Sequence, residues 1–174
     1  AIVGMKIYNE KAINSDNPVL ALFDRPAKKA NLGTIIRSCD ALGVAMLAIS
    51  GHGVDIYDPD VISSTMGSFF KIPFIKLDEN NEIDKFLSEL REKYPKIKII
   101  GTTSHNKKRI YEIDMKQSIL FLIGNETEGL NKYLIEKSDE LVTIPMADDS
   151  SASSLNVSQA ASIMFYEAKR QRDN

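Results

Sequence analysis

The chain has 174 residues, 43% of them hydrophobic and 26% charged, which suits one ordinary domain around a single buried core. Its formal net charge of −2 excludes attraction of nucleic acid by the molecule as a whole, so any such contact must use local basic patches. The single cysteine, Cys39, excludes an internal disulfide framework, His52 and His105 stand alone without zinc spacing, and no apolar run approaches a membrane span.

Short apolar runs alternate with amphipathic stretches. Val19–Asp24 (VLALFD) reads as a strand covered on both faces. Leu32, Ile35, Ile36, Cys39 and Leu42 then repeat at helical spacing, with Asn31 placed to cap that helix. A strand at 44–49 (VAMLAI) follows. Asp58 and Pro59 supply an N-cap and a first-turn proline for a short helix reaching Met66. After a strand at Phe74–Leu77, the stripe Ile83, Phe86, Leu87 and Leu90 marks a helix ending near Pro95. Strands at Lys98–Thr102 and 119–124 (ILFLIG) precede a fourth helix, marked by Leu130, Tyr133, Leu134 and Lys137. A strand at 141–145 (LVTIP) leads to a long last helix over 154–172. This alternation predicts an α/β fold, a mostly parallel sheet with helices on both faces. No repeat or low-complexity linker interrupts it, so 1–174 is expected to be one domain. The opening AIVGMKIYNE has no signal-peptide pattern, and the expected compartment is the cytoplasm.

Sheets of this kind hold ligands outside the carboxyl ends of their strands, so the chemistry is sought in the loops there. No G-x-x-x-x-G-K-S/T and no G-x-G-x-x-G follows any strand, which argues against a P-loop NTPase or an ordinary dinucleotide-binding domain. Three other segments stand out. After the first strand, Arg25, Lys28 and Lys29 border Asn31, Gly33 and Arg37. Gly33 and Arg37 share a helix face, so the absent side chain leaves room for the guanidinium; an exposed Arg37–Asp40 pair is the plainer alternative. After the fifth strand, Asn125 and Glu128 fit a capping box, which leaves Gly124, Glu126 and Gly129 unexplained. A glycine inside a first helical turn costs about 1 kcal/mol relative to alanine, and glycines so placed usually admit a ligand or another segment. The third segment runs from Ile144, Pro145 and Met146 through a serine-rich loop to Ser154, Leu155 and Asn156. Any of Ser153, Ser154 or Asn156 could be the N-cap of the last helix.

Taken together, NLGTIIR at 31–37, IGNETEGL at 123–130 and IPM at 144–146 followed by SLNVSQAA at 154–161 resemble the SpoU/TrmH family of RNA ribose 2′-O-methyltransferases. That family belongs to the SPOUT superfamily of S-adenosylmethionine-dependent enzymes. The resemblance runs from about residue 20 to 172 and includes the stretch 58–73. It implies a deep C-terminal trefoil knot, which general topology rules treat as nearly absent. It also implies a homodimer whose subunits both face RNA. The small residues Ser158, Ala161 and Ser162 would let a second helix approach, though packing within the chain would use them equally well.

The resemblance implies roles for particular residues. S-adenosylmethionine would lie against Thr103, Gly124, Ile144, Met146 and Leu155, and no metal is called for. Its sulfonium makes the methyl electrophilic, so the protein must align the ribose 2′-OH and help remove a proton. The family gives that task to the arginine of its first motif, here Arg37. A literal guanidine base is costly, since deprotonating an ordinary guanidinium at pH 7 requires roughly 7 kcal/mol. Arg37 is therefore expected to clamp the RNA phosphate and stabilise the developing oxyanion. Asn31, Glu126, Ser154 and Asn156 would orient the acceptor, the arginine or the cofactor. Arg25, Lys28 and Lys29, with Lys107, Lys108 and Arg109, are the expected phosphate contacts, in tRNA or rRNA. The run at the end of the last helix, Lys169 to Arg172, reads as solvated surface.

Two departures from the family are visible. Many members carry a separate N-terminal RNA-binding domain of the ribosomal-protein L30e type, whereas only 18 residues precede Val19 here, as in a minimal form or a fragment. The loop after Met146 is also longer, with Asp148 where relatives have glycine. Two other readings remain open from sequence: a non-catalytic RNA- or ribosome-binding module on the same fold, and a base-methylating SPOUT enzyme.

Overall fold

The computed structural model describes residues 8–103 and 108–173. Six strands form one sheet: β1 (Val19–Asp24), β2 (Val44–Ser50), β3 (Phe74–Leu77), β4 (Lys98–Thr102), β5 (Ile119–Ile123) and β6 (Glu140–Val142). Their order is β3-β2-β1-β5-β4-β6 and all five pairings are parallel. The helices are α1 (Lys29–Leu42), α2 (Pro59–Ser64), α3 (Asn80–Lys93), α4 (Lys132–Lys137) and α5 (Val157–Asp173).

The burial of β1 shows why its run is continuously apolar. Val19, Ala21 and Phe23 enter the core layer shared with α1 and α5, while Leu20 and Leu22 enter the opposite layer with α3 and α4. A strand buried on both faces has no solvent face to mark with polar residues. The order reverses between β1 and β5, but the loops after those strands are hydrogen-bonded to each other, and the open crevice lies at the carboxyl edge on the side of β5, β4 and β6.

Several local expectations give way to longer-range forces. Asn31 does not cap α1; the helix begins at Lys29, and Asn31 lies buried inside its first turn. Residues 125–129 are a tight turn, not the start of a helix. Asn125 Oδ1 accepts from the N–H groups of Thr127 and Glu128, and Gly129 takes a left-handed φ of 74° that ends any helical path. The N-cap of α4 is Asn131, whose side chain accepts from Leu134 N at 2.8 Å. The last strand is shorter than expected, because Thr143 leaves β6 to bridge Arg109. The last helix starts at Val157, with Asn156 Oδ1 accepting from Ser158 N at 2.9 Å.

Candidate active site

The carboxyl edge opens a cleft of about 670 Å³ between the loops that follow β4, β5 and β6 and the start of α5. Thr103, Gly124, Glu126, Ile144, Met146, Ser154 and Leu155 all line it. Seven of the residues singled out in sequence therefore meet in one cavity. Ile144, Met146 and Leu155 supply apolar surface, with Leu130 and Ile135 opposite, which sequence reasoning had not assigned. Gly124 is a closeness requirement: an added Cβ would overlap the backbone of Gly129 and Leu130, so the turn can fold back over the strand end only with glycine there.

Beside the cleft, three distant segments are tied by one hydrogen-bond chain. Glu126 Oε2 accepts from Ala27 N at 3.0 Å, and its Oε1 accepts from Lys28 N and from Asn31 Nδ2, each at 3.0 Å. Asn31 Oδ1 in turn accepts from Asn156 Nδ2 at 3.2 Å. Asn156 Oδ1 then caps α5 through Ser158 N and Ser158 Oγ. Glu126 thus supplies from across the chain the anionic cap that Lys28, the residue at the helix N-cap, has no side chain to provide. Burial works against its charge, but the hydrogen bonds from Asn31 and the backbone outweigh it and hold the carboxyl below the usual glutamate range. Ser154 borders the cleft, and its hydroxyl has no protein partner among the described residues.

A second polar group underlies the first. Asp24, 1% exposed at the end of β1, accepts from Ser50 Oγ at 3.1 Å, Asn131 Nδ2 at 3.0 Å and Arg25 Nη2 at 3.1 Å. A carboxylate at the end of an apolar strand was the only sequence signal for it. Arg25 is committed to this group and to Glu128, while its carbonyl accepts from Asn125 Nδ2 at 2.7 Å. Its guanidinium holds the turn rather than facing outward.

Arg37 stands elsewhere. It is exposed, does not line the cleft, and no hydrogen bond or ion pair joins it to another described residue. Asp40 does not pair with it, meeting Ser68 Oγ at 2.7 Å and Lys71 Nζ at 3.6 Å instead. The space at Gly33 is not left for the guanidinium either. An added Cβ there would overlap Ser64 Oγ and lie 2.9 Å from Val61 O, so the glycine serves the packing of α1 on α2. Of the other cations, Lys28 is exposed, Lys29 pairs with Asp58 and Asp60, Lys108 pairs with Glu140, and Arg109 donates to Tyr111 Oη. Lys107 and His105 lie outside the described residues. Ser158 and Ala161 are buried within the chain, and Ser162 meets α1, its hydroxyl 2.8 Å from that of Ser38. Among the described residues no group of three His, Cys, Asp or Glu is arranged to hold a metal, and no helix is long and apolar enough to cross a membrane.

An all-parallel α/β sheet whose carboxyl edge carries a nucleoside-sized cleft, walled by a close-packed glycine turn and bordered by a carboxylate network, belongs to the α/β class that holds ligands outside the carboxyl ends of its strands. Residues 18–166 match the model of the SpoU rRNA Methylase family, and the chain belongs to that family. It is 42% identical over 151 residues to the 23S rRNA (uridine(2479)-2'-O)-methyltransferase of Streptomyces viridochromogenes, covering 87% of this chain and 52% of that protein. Against the 23S rRNA (guanosine(2553)-2'-O)-methyltransferase RlmP of Bacillus subtilis (strain 168) it is 31% identical, over 83% of this chain and 55% of the relative. The chain thus spans about half the length of these relatives. The solved structure of the SpoU methyltransferase AviRb from Streptomyces viridochromogenes, in complex with the cofactor AdoMet, superposes with a TM-score of 0.90 at 40% identity, covering 98% of this chain and 64% of the other.

Proposed function

We propose that this chain is the methyl-transferring part of an S-adenosylmethionine-dependent RNA ribose 2′-O-methyltransferase acting on ribosomal RNA. The observation that carries it is the convergence of three sequence segments, far apart along the chain, on one cleft through the Glu126–Asn31–Asn156 chain of hydrogen bonds. The residues present fit the cofactor. Ile144, Met146 and Leu155 offer apolar surface to an adenine, and the glycine turn at Gly124 lets backbone polar groups approach a ribose. When bound, the cofactor supplies an electrophilic methyl on a sulfonium centre. The protein's remaining task is to hold a ribose hydroxyl in line and to accept developing negative charge.

Arg37 takes the second role as a fixed cation, with the proton leaving to the RNA phosphate or to water. Because it does not line the cleft of its own chain, its charge serves a cleft completed by a second copy, and the functional unit is a homodimer. The exposed Ile163 and Tyr166 on the outer face of α5 support that reading. Ser154 has a free hydroxyl to meet the acceptor ribose. Asn31, Glu126 and Asn156 position these groups, since their polar atoms are already engaged with one another. Lys28 is the available phosphate contact beside them, and Lys29, Lys108 and Arg109 exchange their present partners for phosphate. The threaded C-terminal knot and residence in the cytoplasm belong to the same proposal. Ribosomal RNA is favoured over tRNA by the names of the relatives.

The test combines calorimetry and transfer. The wild-type chain binds S-adenosylmethionine, and Arg37→Ala abolishes methyl transfer while leaving cofactor affinity within severalfold. Loss of cofactor binding with turnover retained at saturation would reverse the division of roles. Nucleoside analysis of the product decides between ribose and base, and a base-linked methyl refutes the assignment.

A further inference from the structure

Among the described residues the two most exposed large apolar side chains are Met66 and Phe70, at 74% and 67%. Both lie on the connection from α2 to β3, and the backbone there is built to hold them outward. Met66 takes a left-handed φ of 53°, a conformation that L side chains disfavour, and Gly67 follows at 96°. The turn is anchored underneath. Thr65, fully buried, donates to Ile62 O at 2.7 Å and accepts from Phe69 N at 3.3 Å, while Ser68 Oγ donates to Asp40 at 2.7 Å. Phe70 meets Phe69 edge-on at 5.4 Å, and Phe69 packs on Phe74 at 5.3 Å and Tyr57 at 5.8 Å. Phe70 is therefore the outermost ring of a stack rooted in the core.

By helix register Arg37 belongs to the face of α1 that packs against this turn. Gly33, Arg37 and Asp40 share one face of α1. Gly33 abuts Ser64, and Asp40 binds Ser68 and Lys71, so Met66 and Gly67, between those anchors, are level with Arg37. The neighbouring carboxylates are occupied: Asp58 and Asp60 by Lys29, and Asp40 by Lys71. Arg37 has no anionic partner among the described residues. An outward ring and thioether on the side of α1 that carries a guanidinium without an anionic partner match a phosphate and the π-face of an adjoining base, which unpaired nucleic acid offers together along a strand.

We infer that Met66 and Phe70 form a stacking platform for an unpaired RNA base next to the phosphate that Arg37 holds. The inference rests on the ribose-methylation reading, which gives Arg37 its phosphate, and it deepens that reading: the nucleotide recognised lies in a loop or bulge, because a duplex keeps its base faces stacked.

Fluorescence anisotropy with a short labelled oligoadenylate, titrated across salt, tests it. Phe70→Ala weakens binding about tenfold without changing the salt slope, and Phe70→Trp restores it. Arg37→Gln lowers the slope by about one. Affinity for S-adenosylmethionine and the urea midpoint stay at wild-type values in the Phe70 variants. Unchanged RNA affinity in both Phe70→Ala and Met66→Ala overturns the platform, as does a wild-type chain that does not bind the oligomer. Neither result touches the methyltransferase reading, which falls instead if calorimetry finds no cofactor binding. Sedimentation of the same variants covers the remaining occupant: loss of a dimer with intact RNA affinity makes the patch a contact between copies and overturns the inference.

Discussion

Replacing Glu126 with glutamine changes one atom and tests whether the network positions or reacts. The carboxylate accepts three hydrogen bonds, two at Oε1 from Lys28 N and Asn31 Nδ2 and one at Oε2 from Ala27 N. In Glu126→Gln the amide oxygen takes the place of Oε1, and the NH₂ group is left facing Ala27 N–H, donor against donor. The two surviving bonds lose their charge assistance, about 1 kcal/mol each, and the favourable charge at the start of α1 is worth a further ~0.3–1 kcal/mol. Ala27 is exposed, so water replaces its lost partner cheaply. The expected loss is about 2–3 kcal/mol at neutral pH, read as a lower urea midpoint at unchanged m-value. The pH dependence supplies the sign. The folded carboxyl titrates below its ordinary value, so its contribution is complete above the usual glutamate pKa of about 4.3 and is lost as pH falls through the depressed folded value. Wild type and Glu126→Gln should therefore converge in stability in acid. A difference that persists undiminished in acid would refute the ionised cap. So would equal stability at neutral pH with transfer lost, which would make the carboxylate a reacting group.

Further outcomes follow from packing. Gly33→Ala should destabilise by about 1–3 kcal/mol, because the new methyl meets Ser64 Cβ at 2.8 Å and Val61 O at 2.9 Å; adding Ser64→Gly should recover part of that in thermal melts. Gly124→Ala should push the 125–129 turn off the strand end and weaken cofactor binding at least tenfold by calorimetry, since the obstacle is backbone that cannot rotate away. Arg172→Ala removes the donor shared by the carbonyls of Asn17, Met115 and Gln117, and should cost about 2–3 kcal/mol in urea unfolding without altering the cleft.

The strands were legible because both-face burial writes an apolar run that nothing else in the chain imitates, as in Val19–Asp24 and Ile119–Ile123. Helix starts were less so. The cap of α1 comes from Glu126, 98 residues beyond Lys28, and no local pattern records a partner at that distance. The capping box read at Asn125 and Glu128 gave way to a cap at Asn131, which sequence reasoning had not singled out, because Gly129 turns the backbone left-handed before it. Gly33 misled in the same way: a missing side chain announces a close approach without saying whose, and the neighbour is Ser64. The cleft itself was readable, since strand-end loops converge in any sheet of this kind, and Thr103, Gly124, Ile144, Met146 and Leu155 all reach it. Asn31, Asn156 and Arg37 do not line it: the first two reach it through Glu126 in the hydrogen-bond chain, while Arg37 has no such link among the described residues.

The grip of Arg172 lies at the opposite end of the sheet from the cleft, on the segments that enter β1 and β5. It fixes the far end of the helix whose near end is capped by Asn156, which in turn completes the chain through Asn31 to Glu126. During synthesis the first five strands can pair before either residue has left the ribosome. The start of α5, which walls the cleft, is then placed late, when the helix seats, and a chain stalled before Asn156 carries paired strands without the hydrogen-bond chain that borders the cleft.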